Sequence, residues 1–214
     1  MTRGMMRTGA FATAGIFLLA GCGGGGGGDS SDKIKGADAA THSPSPSASA
    51  SAGVQRPKIK FPNSAKNVFE GQHTGDPKKD AVLADNAQRV NSIDDAIFRG
   101  KTDTPTLDFY STGPAIGSAM AFIKGWVTPG DTWVGITRYF NRKVSFRDDG
   151  AAVVIYCSDE SKAYVKDGKT RKVDRSPATS DAYVLYNTRL VKSRQGVWRT
   201  VDVTSKRGAS QCQP

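Results

Sequence analysis

Tyr183-Val184-Leu185-Tyr186 and Gly196-Val197-Trp198-Arg199-Thr200-Val201-Asp202-Val203 decide the fold. Each alternates apolar or β-branched residues with polar ones, the period-2 pattern of a strand. Ser193-Arg194-Gln195-Gly196 supplies a turn between them. The pattern predicts a hairpin, with residues 182–192 paired to 196–206.

The stretches upstream continue the same architecture. Residues 132–146 alternate Val134, Ile136, Phe140, Val144 and Phe146 with Trp133, Gly135, Thr137, Tyr139 and Lys143. Both sets contain bulky side chains. This predicts a long strand that is either covered on both faces or bulged near Arg138. Asp148-Asp149-Gly150 is a hairpin turn, and 151–158 reads as the next strand. Its two faces carry Val153, Ile155 and Cys157 against Val154 and Tyr156. Tyr164 and Val165 open a small hairpin around Lys166-Asp167-Gly168-Lys169, and residues 171–181 form a polar loop. Helices precede the strands. Asp76-Pro77 is a cap followed by a proline suited to the first helical position. Leu83, Ala87, Val90, Asp94 and Ile97 then recur at steps of four and three, which predicts one buried helical face ending near Phe98, with Gly100 as the stop. Asp80, Asp85, Arg89 and Asp95 read as the wet side. Residues 106–110 make a helical turn. Pro114 opens another helix with the stripe Ile116, Ala119, Met120 and Ile123, where Gly117, Ser118 and Ala121 allow close packing. Residues 63–69 lay Val68 and Phe69 on the domain.

Two or three helices followed by an antiparallel meander make an α+β domain, over residues 58–214. The closing Gly-x-Trp-x-x-x-Asp at Gly196, Trp198 and Asp202 resembles the ending of nuclear transport factor 2-like and ketosteroid isomerase-like domains. That resemblance implies a cystatin-like cone, in which N-terminal helices pack on a curved antiparallel sheet and leave a pocket at the wide end. Cys157-Ser158-Asp159 and Cys212 are similar to elements in actinobacterial lipoproteins of this kind. This implies a Cys157–Cys212 disulfide. It also implies a homodimer through the sheet as one mode of assembly.

The start of the chain has a separate meaning. Arg3 and Arg7 precede an apolar run over 10–20, too short to span a bilayer, which needs about 20 such residues. Leu19-Ala20-Gly21-Cys22 resembles the lipobox of bacterial lipoproteins. The resemblance implies cleavage of a signal peptide, residues 1–21, and a diacylglyceryl group on the Cys22 thiol. The competing reading is an ordinary secretory signal with a chance cysteine. Six glycines and a Ser/Ala/Pro tract follow to residue 57. They cannot bury a core, so residues 22–57 read as a lipidated cysteine and tether, spanning roughly 30–35 Å as a coil. The expected location is the extracytoplasmic face of a cell membrane. With Cys22 lipidated, the odd cysteine count becomes even in a compartment that permits disulfides.

The chain carries a formal +10, and loss of residues 1–21 removes Arg3 and Arg7 to leave +8. The basic residues are scattered and do not alternate with aromatics as in a single-strand binder, so a nucleic acid partner is set aside. His42 lies in the tether and His73 before the first long helix, so no zinc-like cluster and no activated cysteine is expected, and no cofactor. Three functional readings compete. In the first, a non-catalytic module binds a small ligand or a protein, and Tyr110, Trp126, Trp133, Tyr139 and Asp94 line the pocket. The plain alternative for each aromatic is core packing. The second is a pocket enzyme of the isomerase or dehydratase type, using Asp94, or else Asp108 or Asp159, as its acid. An Asp on a core stripe more often pairs with an arginine, here Arg138 or Arg189. The third is an electrostatic binder of anionic wall or membrane polymers.

Overall fold

The computed structural model describes residues 54–214. The expected signal peptide, Cys22 and most of the expected tether lie outside the described residues. Among the described residues no helix is long and apolar enough to cross a membrane.

Eight elements follow in chain order: β1 (Ala65–Phe69), α1 (Pro77–Arg99), α2 (Pro105–Tyr110), α3 (Pro114–Val127), β2 (Thr132–Phe146), β3 (Ala152–Lys166), β4 (Tyr183–Lys192) and β5 (Trp198–Arg207). The five strands form one sheet in chain order, and the three helices pack on its inner face. This is the expected α+β arrangement of helices on a curved sheet, with one difference. β1 runs parallel to β2, and only the other pairs are antiparallel.

Each helix starts where the sequence places it. The Asp76 carboxylate accepts from the amides of Lys78 and Lys79, and Gly100 ends α1 in a left-handed conformation at φ 65°. Thr104 caps α2 through its side chain. The sheet bends at register shifts between Ile136 and Arg138, and again between Phe140 and Lys143. The first shift is the bulge expected near Arg138. Gly135 lies beside it at φ 105°, and a Cβ there would strike the Lys162 carbonyl, so only glycine fits this crossing.

The core joins Val82, Leu83 and Val90 of α1 to Tyr139, Val154, Tyr156, Leu190 and Trp198 of the sheet. A second cluster joins Ala96 and Ile97 of α1 to Leu107, Ala119 and Ile123. Cys157 and Cys212 form a disulfide, with Cα atoms 5.5 Å apart. The tail after β5 is thereby held against Phe140, Tyr183 and Leu185.

Four readings of the sequence need correction. Asp85, Arg89 and Asp95 are buried, not wet, because α1 is enclosed by the sheet, α2 and α3 together. Gly117, Ser118 and Ala121 face outward, and nothing approaches Gly117. β3 does not stop at Ser158. It continues to Lys166 and pairs with the start of β2, so Tyr164 and Val165 belong to its far end. Finally, residues 65–69 are a strand, held by a parallel partner far away in sequence.

Candidate functional site: a cavity beside the second half of α1

A cavity of about 320 Å³ opens between the second half of α1, the end of α3, and the inner faces of β2, β3 and β4. Its apolar wall includes Val90, Ile93, Ile97, Trp126 and Trp133, with Phe122 and Val165 exposed at the rim. Its polar lining is Arg89, Asp94, Thr137, Glu160, Arg207 and the tyrosines 139, 156, 164 and 186.

Strand alternation and helical spacing build this lining. Tyr156 and Tyr186 sit opposite one another in the β3–β4 register and stack at 5.0 Å between centroids. Tyr139 reaches Tyr156 from β2 at 6.1 Å. Arg89 and Val90 belong to one turn of α1, and Ile93, Asp94 and Ile97 to the next two.

Asp94 is held at both oxygens. The Trp133 indole donates to Oδ1 at 3.1 Å, and the Asn67 amide donates to Oδ2 at 2.7 Å. The same Asn67 nitrogen donates to Asn91 at 3.0 Å, so β1 is clamped to α1 through these polar groups. Burial pushes the Asp94 carboxyl up to about 7, against the pull of its two donors. A carboxyl with such a pKa can hold or release a proton near neutrality.

Arg89 has a different environment. The residue is 4% exposed, and its Nε is buried without a partner among the described residues. Among the described residues no hydrogen bond or ion pair reaches its terminal nitrogens. Burial lowers its pKa, opposed by the three tyrosines 156, 186 and 139. Burial also raises the pKa of each of those tyrosines, so all three remain O–H donors at physiological pH. Arg207 is satisfied, by Glu160 at 2.8 Å and the Asp181 carbonyl at 2.7 Å.

Of the residues expected to line the pocket, Asp94, Trp126, Trp133 and Tyr139 do so. Tyr110 does not. The Ser111–Thr200 bridge docks the end of α2 on β5 and turns Tyr110 inward, fully buried and away from the cavity. Its hydroxyl has no partner among the described residues, and burial raises its pKa to about 12. Near it, Asp85 accepts from the Trp198 amide at 2.8 Å and lies 2.9 Å from Arg56. Thus Arg56, which composition assigns to the tether, is fixed on α1. The expected arginine partners of Asp94 are engaged elsewhere. Arg138 pairs with Glu70 and Asp159, and Arg189 with Asp149. Asp159 therefore stands outside the cavity, and Asp108 is exposed. Sequence reasoning missed Arg89, Tyr156, Tyr186, Glu160 and Arg207. The signal for the two tyrosines was available, since each alternates with its strand neighbours. Among the described residues no group of three His, Cys, Asp or Glu side chains is placed to hold a metal ion.

No family model matches the chain, and no curated protein matches it. Among the solved structures similar to it are two that cover most of the described residues. One is the intermembrane space region of the chloroplast protein ARC6, at 11% identity and TM-score 0.39, covering 61% of this chain and 95% of that one. The other, from Shewanella frigidimarina, is described as a "putative ketosteroid isomerase", at 11% identity and TM-score 0.34, covering 65% and 100%. These scores carry no inference about the cavity or its chemistry.

Proposed function

We propose that the domain is a non-catalytic binding module for a small ligand, held at the outer face of a membrane by a lipid on Cys22. The observation that supports this reading is the cavity of about 320 Å³ with apolar walls and a few convergent polar groups. Ligand sites generally have this character, and this volume is at the lower end of their range. Titration with 1-anilinonaphthalene-8-sulfonate tests it. One probe is expected to bind per chain. Ile93→Trp, which fills the cavity, is expected to abolish that binding while the domain stays folded. Undiminished binding to Ile93→Trp would refute the reading.

A second reading has one specific observation in its favour, the Asp94 carboxyl poised near 7 inside an apolar cavity. In that reading Asp94 moves a proton on a bound substrate. Any compound captured from the native membrane distinguishes the two. A binding module returns it unchanged in mass and isomer composition. An enzyme converts it, and Asp94→Asn stops the conversion.

A further inference from the structure

A guanidinium in a protein interior normally has its donors satisfied, because an unpaired buried charge is costly. Arg89 departs from this rule, and it does so at the wall of a cavity. The other ionisable groups around it are engaged elsewhere. Arg207 is neutralised by Glu160, and the Asp94 oxygens are held by Asn67 and Trp133. Those two donors are neutral, so with the Asp94 carboxyl protonated the unmatched charge in the cavity is the single positive charge of Arg89. The buried Tyr139 and Tyr156 and the half-buried Tyr186 flank it and keep their protons, so they add neutral donors rather than countercharge.

Resting on the binding reading above, we infer that the ligand is a small amphipathic monocarboxylate, its carboxylate on Arg89 and its apolar body along Ile93, Ile97, Trp126 and Trp133. The planar fork of a guanidinium matches a carboxylate through two parallel hydrogen bonds. A monoanion balances the one uncompensated charge. A phosphate dianion overshoots it. The polarity of the cavity fits the same ligand. The charge is deep, where Arg89 is almost fully buried, and the apolar residues Phe122 and Val165 are exposed at the rim. An anionic head would enter first, and a hydrocarbon body would fill the cavity behind it.

Isothermal titration of the full chain with decanoate, 1-decanol and decyl phosphate tests this without any variant. Decanoate is expected to bind at least tenfold more tightly than either of the others. Equal binding of decanoate and decanol would overturn the carboxylate assignment and leave the binding module intact. Tighter binding of decyl phosphate would replace the carboxylate with a phosphate. Absence of binding by all three would overturn the assignment and the binding reading together. Arg89→Met is expected to reduce decanoate to the level of decanol. Should that variant fail to fold, Arg89→Lys is expected to bind decanoate several-fold more weakly, since it keeps the charge and loses the fork. Unchanged decanoate binding by a folded Arg89 variant would refute the role of this residue.

Discussion

Two arginines are buried beneath the same sheet, and their surroundings differ. Arg142 of β2 is 8% exposed and Arg89 of α1 is 4% exposed. The Nε of each is buried without a partner among the described residues. The difference lies at the terminal nitrogens. Those of Arg142 donate to Gln72 at 2.6 Å, to the Leu83 carbonyl at 2.7 Å and to Asn86 at 3.2 Å. Its guanidinium also lies 5.3 Å from the centre of the Phe69 ring. The terminal nitrogens of Arg89 have no such acceptors among the described residues, and they border a cavity. Burial lowers the pKa of both, that of Arg142 to about 10. Where this fold uses an arginine as a structural tie, it provides acceptors. Where it does not, the missing acceptor is best sought in a ligand.

The comparison is sharpest against a control that removes stability without touching either arginine. The Cys157–Cys212 bridge closes a 55-residue separation on the outer side of the sheet. Replacing both cysteines with alanine is expected to cost about 4 kcal/mol by loop entropy. Urea denaturation measures that loss, and below the transition decanoate should still bind as before. Next in size is Arg142→Met, expected to cost about 3 kcal/mol, because Gln72 and Asn86 lose a charged donor in the interior. A cost below about 1 kcal/mol would show that its hydrogen bonds are not structural ties, and the contrast with Arg89 would collapse.

The same pair shows what could be read from sequence and what could not. The extent of α1 was legible, because Asp76, Pro77 and Gly100 mark its ends and Leu83, Ala87, Val90 and Ile97 repeat along it. The long β2 strand and the final hairpin were legible from alternation. Asp94 stood out as an acid on an apolar stripe, and the structure places it in the cavity wall. Arg89 could not be recognised in the same way. A charge one position away from that stripe reads as solvated, and its burial follows from enclosure of α1 on several sides, a tertiary fact. β1 was illegible for a similar reason, since its hydrogen bonds go to a parallel partner some 70 positions away. The second half of β3 was hidden by Ser158-Asp159-Glu160-Ser161-Lys162, a polar run that is strand only because it borders a cavity and an outer face.

Asp94 tests whether the cavity is polar at work or only in composition. Its carboxyl is near 4 in the unfolded chain and about 7 in the folded one. Between those values the folded state holds more protons than the unfolded state, so stability falls as pH rises from 4 to 7. The loss from this group over that range is expected to be on the order of 3 kcal/mol. Asp85, also raised by burial, adds a loss of the same sign. The measurement is therefore a difference. The urea midpoint of Asp94→Asn should fall less than that of the wild type between pH 5 and pH 8. Parallel profiles would mean that water reaches Asp94 and leaves its carboxyl near its ordinary value.

The smallest expected effect on stability is the most informative, because its sign opposes that of Arg142. Arg89→Met removes a buried charge that no described acceptor satisfies, and puts a flexible apolar side chain of similar length in its place. Without ligand this should leave the domain unchanged or stabilise it by about 1 kcal/mol. With decanoate in excess the order should reverse, because only the wild type gains stability from bound anion. Thermal unfolding of both proteins, with and without decanoate, gives the four values needed. If Arg89→Met is destabilised in the absence of ligand as strongly as Arg142→Met, Arg89 is a structural tie after all, held by groups outside the described residues. A neutral or positive change marks it as a residue kept at a cost to the free fold, which is expected when its partner arrives from solution.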